Sequence, residues 1–260
     1  MAQITTTQTT VASPAASPIK QILKQTQYEL LLTARRGENI LITLIVPVML
    51  LVFFTSLNII PTSKGQNAVD FLLPGILALA IIAAGMVNLG IATAYERYYG
   101  VLKRLGSSPL SRSGLIIAKV ISILILEIVQ VALLIGVAIL FYHWQPAGSL
   151  PLALLAIALG TVTFAALGLA MAGALRAELT LAGANALYLL FLLIGGGILP
   201  LDHLPAPLAA LSQFLPPAAL TQALQATMNN NQPFPTGALL TLAIWALLIL
   251  LTAVRTFKWE

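Results

Sequence analysis

Long apolar runs alternate with short polar breaks along the chain, and the runs have the length of membrane spans. A helix needs about 20 apolar residues to cross the hydrocarbon core of a bilayer. Six runs reach that length: roughly Ile40–Ile60, closed by Pro61, then Ala68–Tyr95, Leu115–Tyr142, Leu150–Leu175, Leu179–Leu199 and Thr236–Val254. Hydrocarbon offers no water to free backbone groups, so each run is predicted to be helical.

Two stretches depart from this alternation. Ile19–Arg36 mixes Ile19, Ile22, Leu23, Leu30 and Leu31 with Lys20, Lys24, Arg35 and Arg36. That amphipathic pattern predicts a helix lying at the membrane surface, its basic side chains towards the headgroups. After the fifth run, Gly195, Gly196 and Gly197 are followed by Pro200, Pro205, Pro207, Pro216 and Pro217, while Leu204, Leu208, Leu211, Phe214, Leu215, Leu220 and Leu224 keep the segment apolar. Glycine and proline at this density forbid one continuous helix. Two short helices are predicted, roughly Ala206–Leu215 and Pro217–Met228, forming a re-entrant hairpin in the outer leaflet that exits through Asn229, Asn230 and Asn231.

Composition fixes the solvent. Of 260 residues, 59% are hydrophobic and 8% charged, against about 25% charged in soluble domains. Too few polar groups exist to cover a water-facing surface. Residues 1–18 are rich in Thr, Ala, Ser and Pro and carry no charged side chain; they lack the basic start and apolar stretch of a secretory signal and are expected to be a disordered cytoplasmic tail. The expected division is a tail over 1–18, an interfacial helix over 19–37 and a six-helix transmembrane domain over 38–260. The chain has no cysteine, which excludes disulfides and thiolate chemistry.

The net charge of +5 reads as topology rather than as nucleic-acid binding. With the N-terminus inside, Lys20, Lys24, Arg35, Arg36, Arg97, Lys103, Arg104, Arg112, Lys119, Arg176, Arg255 and Lys258 all face the cytoplasm, and only Lys64 lies outside. The positive-inside rule therefore predicts a multi-pass protein of the cell membrane with both termini cytoplasmic.

Enzymatic signals are absent. There is no Gly-x-x-x-x-Gly-Lys-Ser/Thr phosphate loop, and His143 and His203 are isolated from any second metal ligand at useful spacing. Within the spans, Glu127 stands out. It lies about 13 residues after Gly114, hence about 20 Å along its helix and near the midplane, where a carboxyl is costly. Gln130 shares its face. Three roles are open: a substrate contact, a proton-sensitive group, or a structural hydrogen bond to a neighbour such as Asn88 or Asn185. Gly168 and Ala172 have the spacing that lets helices approach closely. An ion-coupled secondary transporter would also use a midplane carboxyl and a broken helix, but no internal repeat is visible.

The richest segment is Tyr95–Lys119, a basic, Gly/Pro-punctuated connection between two spans. Its Glu96-Arg97, Gly100-Val101-Leu102-Lys103-Arg104-Leu105, Pro109-Leu110-Ser111-Arg112 and Lys119 resemble the signature loop of ABC-2-type transporter permeases. The Pro-bracketed stretch from Leu199 to Pro217 is similar to that family's hairpin before its last span. Val101 stands where Thr is usual, and Tyr98 where a second acidic residue is common. The resemblance implies an all-α integral membrane fold: six transmembrane helices, an N-terminal interfacial helix, a cytoplasmic coupling helix around Val101–Leu105 and the re-entrant hairpin. It implies the permease subunit of an ATP-driven exporter of amphipathic drug- or antibiotic-class compounds, with lipid or lipid-linked glycan as the alternative cargo. ATP and Mg would be bound by separate ATPase subunits, with no cofactor on this chain, and a second copy or a homologous permease would complete the pathway among membrane lipids. Leu102 and Leu105 would bury on the ATPase, Lys103 and Arg104 would orient it, and Glu96 and Arg97 would fix the loop against the second span.

Overall fold

The computed structural model describes residues 17–35, 37–57, 67–229 and 233–256. Nearly all of the expected tail, the end of the first apolar run at 58–60, Lys64, Asn230, Asn231 and Lys258 lie outside the described residues. All elements among those described are helical: α1 (Pro18–Arg35), α2 (Gly37–Leu57), α3 (Ala68–Tyr98), α4 (Val101–Gly106), α5 (Arg112–Tyr142), α6 (Leu150–Ala174), α7 (Ala177–Ile194), α8 (Ala206–Ser212), α9 (Pro216–Met228) and α10 (Thr236–Thr256).

Five of these, α3, α5, α6, α7 and α10, are long and apolar enough to cross a membrane. The first predicted run lies in α2, where Leu41–Leu57 is an apolar helix and residues 58–60 lie outside the described residues. The fifth run ends early, because Gly195–Gly197 stops α7 at Ile194 instead of Leu199.

Helix α6 is the hub, packing on α10, α3, α9, α5 and α7. Its small residues permit this. A Cβ on Gly168 would stand 2.6 Å from Gly85 O and one on Gly85 would stand 2.7 Å from Ala165 N, so α3 and α6 meet backbone to backbone. At this crossing α3 widens into a π-helical stretch, Ala83–Leu89. A bulge of this kind puts one extra residue into the turn and rotates the helix beyond it. The apolar pattern, continuous through this stretch, gave no sign of it.

The segment after α7 turns back into the protein. Gly195, Gly196 and Gly197 are buried, and a Cβ on Gly75 would overlap Gly197 O. A short 3₁₀ turn, Leu201–His203, follows Pro200, and α8 begins just after Pro205. Pro216 and Pro217 occupy the first turn of α9, where a missing N–H costs nothing. Helix α9 is buried among α3, α6 and α10, whereas Leu208, Leu211 and Phe214 in and after α8 are exposed.

Candidate functional site

The connection from α3 to α5 is built by local chemistry. Gly100 takes φ +72°, a left-handed conformation that suits glycine, and this turn separates α3 from α4. The hydroxyls of Ser107 and Ser108 donate back to Arg104 O and Leu105 O, closing α4. Past Pro109, Ser111 Oγ accepts from Gly114 N at 3.0 Å and caps α5. Leu102 corrects an expectation. It is 1% exposed within this chain, packed in a cluster with Leu89, Leu115 and Ile116, and Leu105 packs against the same cluster. It therefore anchors α4 to its own bundle and cannot bury on a partner. The outward face carries Val101, Lys103 and Arg104, flanked by exposed Tyr98 and Tyr99.

Two polar joints hold this connection. The Arg97 guanidinium donates to Gly173 O at 2.6 Å and to Leu175 O. Those carbonyls belong to the C-terminal end of α6, which lacks intrahelical donors. Next to it, Lys119 Nζ lies 2.8 Å from Glu96 Oε2 and 3.0 Å from Glu29 Oε1. Gln25 donates to the same Glu29 carboxylate at 2.8 Å. Lys119 is 1% exposed, and it ties α1, α3 and α5 at one point.

Glu29 was missed in the sequence. The signal was a lysine set two turns inside an apolar helix, which demands an anion, and Glu29 is the one acid in α1. Helix α1 buries polar side chains and exposes apolar ones beside its basic residues Lys20, Lys24 and Arg35. Gln25, Thr26 and Glu29 face the protein, while Ile19, Leu23 and Leu31 are exposed.

The midspan polar residues pair differently from expectation. Glu127, 1% exposed, shares a hydrogen bond between its Oε2 and Thr161 Oγ1 of α6. Neither Asn88 nor Asn185 is its partner. Asn88, on the π-helical stretch, donates to Thr43 Oγ1 at 3.2 Å, and Gln130 donates to Thr43 O at 2.7 Å, so both converge on α2. Asn185 donates to Leu181 O of its own helix at 2.8 Å and is exposed. The sequence could not expose these pairings, because each joins residues far apart in the chain.

A cleft of about 960 Å³ opens between the start of α3, the end of α5 and α9. Asp70, His143, Gln222, Gln225 and Asn229 line it together with Phe71 and Phe234. A smaller cavity of about 270 Å³ shares Phe71, Gln222 and Gln225 and reaches Gly195, Gly196 and Pro200. Polar groups make up most of the larger cleft's lining, with Phe71, Trp144 and Phe234 supplying apolar surface, and the smaller cavity is the more apolar of the two.

No curated protein matches the chain. A family model described as ABC-2 type transporter matches residues 20–229, from α1 through α9.

Proposed function

The chain belongs to the ABC-2 type transporter family and is the membrane permease component of an ABC transporter, served by an ATPase subunit and not itself an ATPase, and we propose that it exports amphipathic drug- or antibiotic-class compounds. In this reading α2 is the first of six spans, both termini are cytoplasmic, and two permease copies surround one pathway. ATP and Mg sit on the partner ATPases. Helices α8 and α9 form the outer hairpin, and the amphipathic lining of the cleft beside α9 supports the choice of cargo.

One observation carries the proposal. Helix α4 is short and exposed on one face, Leu102 fixes it in the core, and the last turn of α3 just before it is held by Arg97 on the end of α6 and by Glu96 on Lys119. A displacement of α4 would reach α1, α3, α5 and α6 without loss in flexible chain. Its exposed Val101, Lys103 and Arg104 form the docking face, with charge setting orientation and apolar contact supplying affinity. Lys103→Glu combined with Arg104→Glu is expected to abolish co-purification of the ATPase subunit while the permease still inserts and remains monodisperse. Unchanged co-purification would overturn the assignment of α4. Cargo is tested separately, by ATP-dependent efflux of an amphipathic dye from proteoliposomes holding both subunits.

A further inference from the structure

We propose that Glu127 is a proton-binding site within the membrane domain, where the neutral acid donates its proton to Thr161 and clips α5 to α6. This site is independent of the cargo and of the docking face.

Thr161 has one hydroxyl hydrogen. Its Oγ1 lies 2.8 Å from Ile157 O, the preceding-turn carbonyl that helical threonines ordinarily bond. A carbonyl cannot donate, so that contact takes the hydroxyl hydrogen. Oγ1 is also bonded to Glu127 Oε2. The hydrogen between those two oxygens therefore comes from Glu127. A carboxylate has none to give; a carboxylic acid has one.

The surroundings agree with this count. Glu127 is the middle residue of α5, and its Oε1 is buried with no hydrogen-bond partner. Helix α6 contains no charged residue. In the other helices packed against α5, the charged residues stand away from this depth. They are Glu38 in the first turn of α2, Asp70, Glu96 and Arg97 at the two ends of α3, and Arg255 in the last turn of α10. The charges of α1, Lys20, Lys24, Glu29 and Arg35, lie at the Lys119 end. Lys119 itself is eight residues, about 12 Å, back along α5 and already holds two carboxylates. A carboxylate with one hydrogen bond and no cation would be among the costliest groups the membrane could hold. The neutral acid leaves only a bare carbonyl oxygen, a far smaller cost.

Loss of this proton to water has a defined consequence. Oε2 and Oγ1 would then meet as two acceptors, unless the Thr161 hydroxyl abandoned Ile157. The first outcome breaks the seam between α5 and α6, and the second keeps it only by taking from α6 its Thr161–Ile157 bond. Alkaline conditions loosen the seam, and the acid form closes it.

Infrared spectroscopy of the full-length chain in lipid nanodiscs tests this directly, because the whole sequence holds only 8 Asp and Glu residues. At neutral pH the wild type should show a protonated-carboxyl C=O stretch. Glu127→Gln should remove it, and Thr161→Val, which takes away the acceptor, should shift it. Identical spectra for wild type and Glu127→Gln in that region would overturn the proposal. A thermal series gives a second reading. The wild type should lose stability as pH rises into the alkaline range, whereas Glu127→Gln, whose amide N–H can donate to Thr161 at any pH, should lose less. The same alkaline loss in both proteins would refute the clip.

Discussion

The two ends of this bundle are fastened by opposite means. At the α4 end, long charged side chains reach across gaps: Lys119 to Glu29 and Glu96, Arg97 to the last carbonyls of α6. At the hairpin end, the absence of side chains does the fastening, with the backbone of α3 at Gly75 lying directly on that of Gly197. An ion pair has reach and can follow a modest shift of its partners. A contact between two bare backbones has none. The α4 end can therefore follow a modest shift, while the other end keeps its shape with irregular backbone lying within the bundle.

Three substitutions bear on this contrast. The largest effect is expected from Gly75→Val, because the added carbons would overlap the Gly197 backbone. Overpacking of this kind costs about 3 kcal/mol or more, read as loss of monodisperse protein on size-exclusion chromatography. No trimming of a neighbouring side chain can rescue it, since Gly197 has none. Lys119→Met comes next. It leaves Glu29 and Glu96 without a cation, at a cost of about 2–3 kcal/mol; this is below the range for fully buried pairs because both carboxylates keep some access to water. Here rescue is possible. Adding Glu29→Gln and Glu96→Gln should recover at least half of the lost thermal stability, and failure to recover any would show that the joint is not chiefly electrostatic.

The smallest effect belongs to Gly100→Ala. Nothing lies within 4 Å of the added Cβ, so only the left-handed backbone is penalised, by about 1–2 kcal/mol. Stability measured against wild type should fall by that amount. A larger fall would mean that the α4 end, too, depends on steric fit.

Much of this architecture was legible because its cause is local. Apolar length identified α3, α5, α6, α7 and α10 as helices. Gly100 and Pro109 bracketed α4, and the Gly and Pro residues after α7 marked the break before α8 and α9. Where causes were non-local, the reading fell short. Leu102 turned inward because its neighbours in space, Leu89 and Leu115, come from two different spans. Glu127 was singled out by depth alone, yet its partner Thr161 sits in a helix whose sequence looks uniformly apolar and small. The π-helical stretch answers to a crossing with α6 that no single segment encodes.

The position of Glu29 also dictates an order of assembly. Its partner Lys119 is synthesised 90 residues later, after α2, α3 and α4. Until then α1 carries an unneutralised acid on the face that must dock and apolar residues on the face that must not. The nascent chain thus exposes a marker of incompleteness that disappears only when α5 is in place. A truncation ending before Lys119 would keep that marker on display to the proteases that clear unfinished membrane proteins.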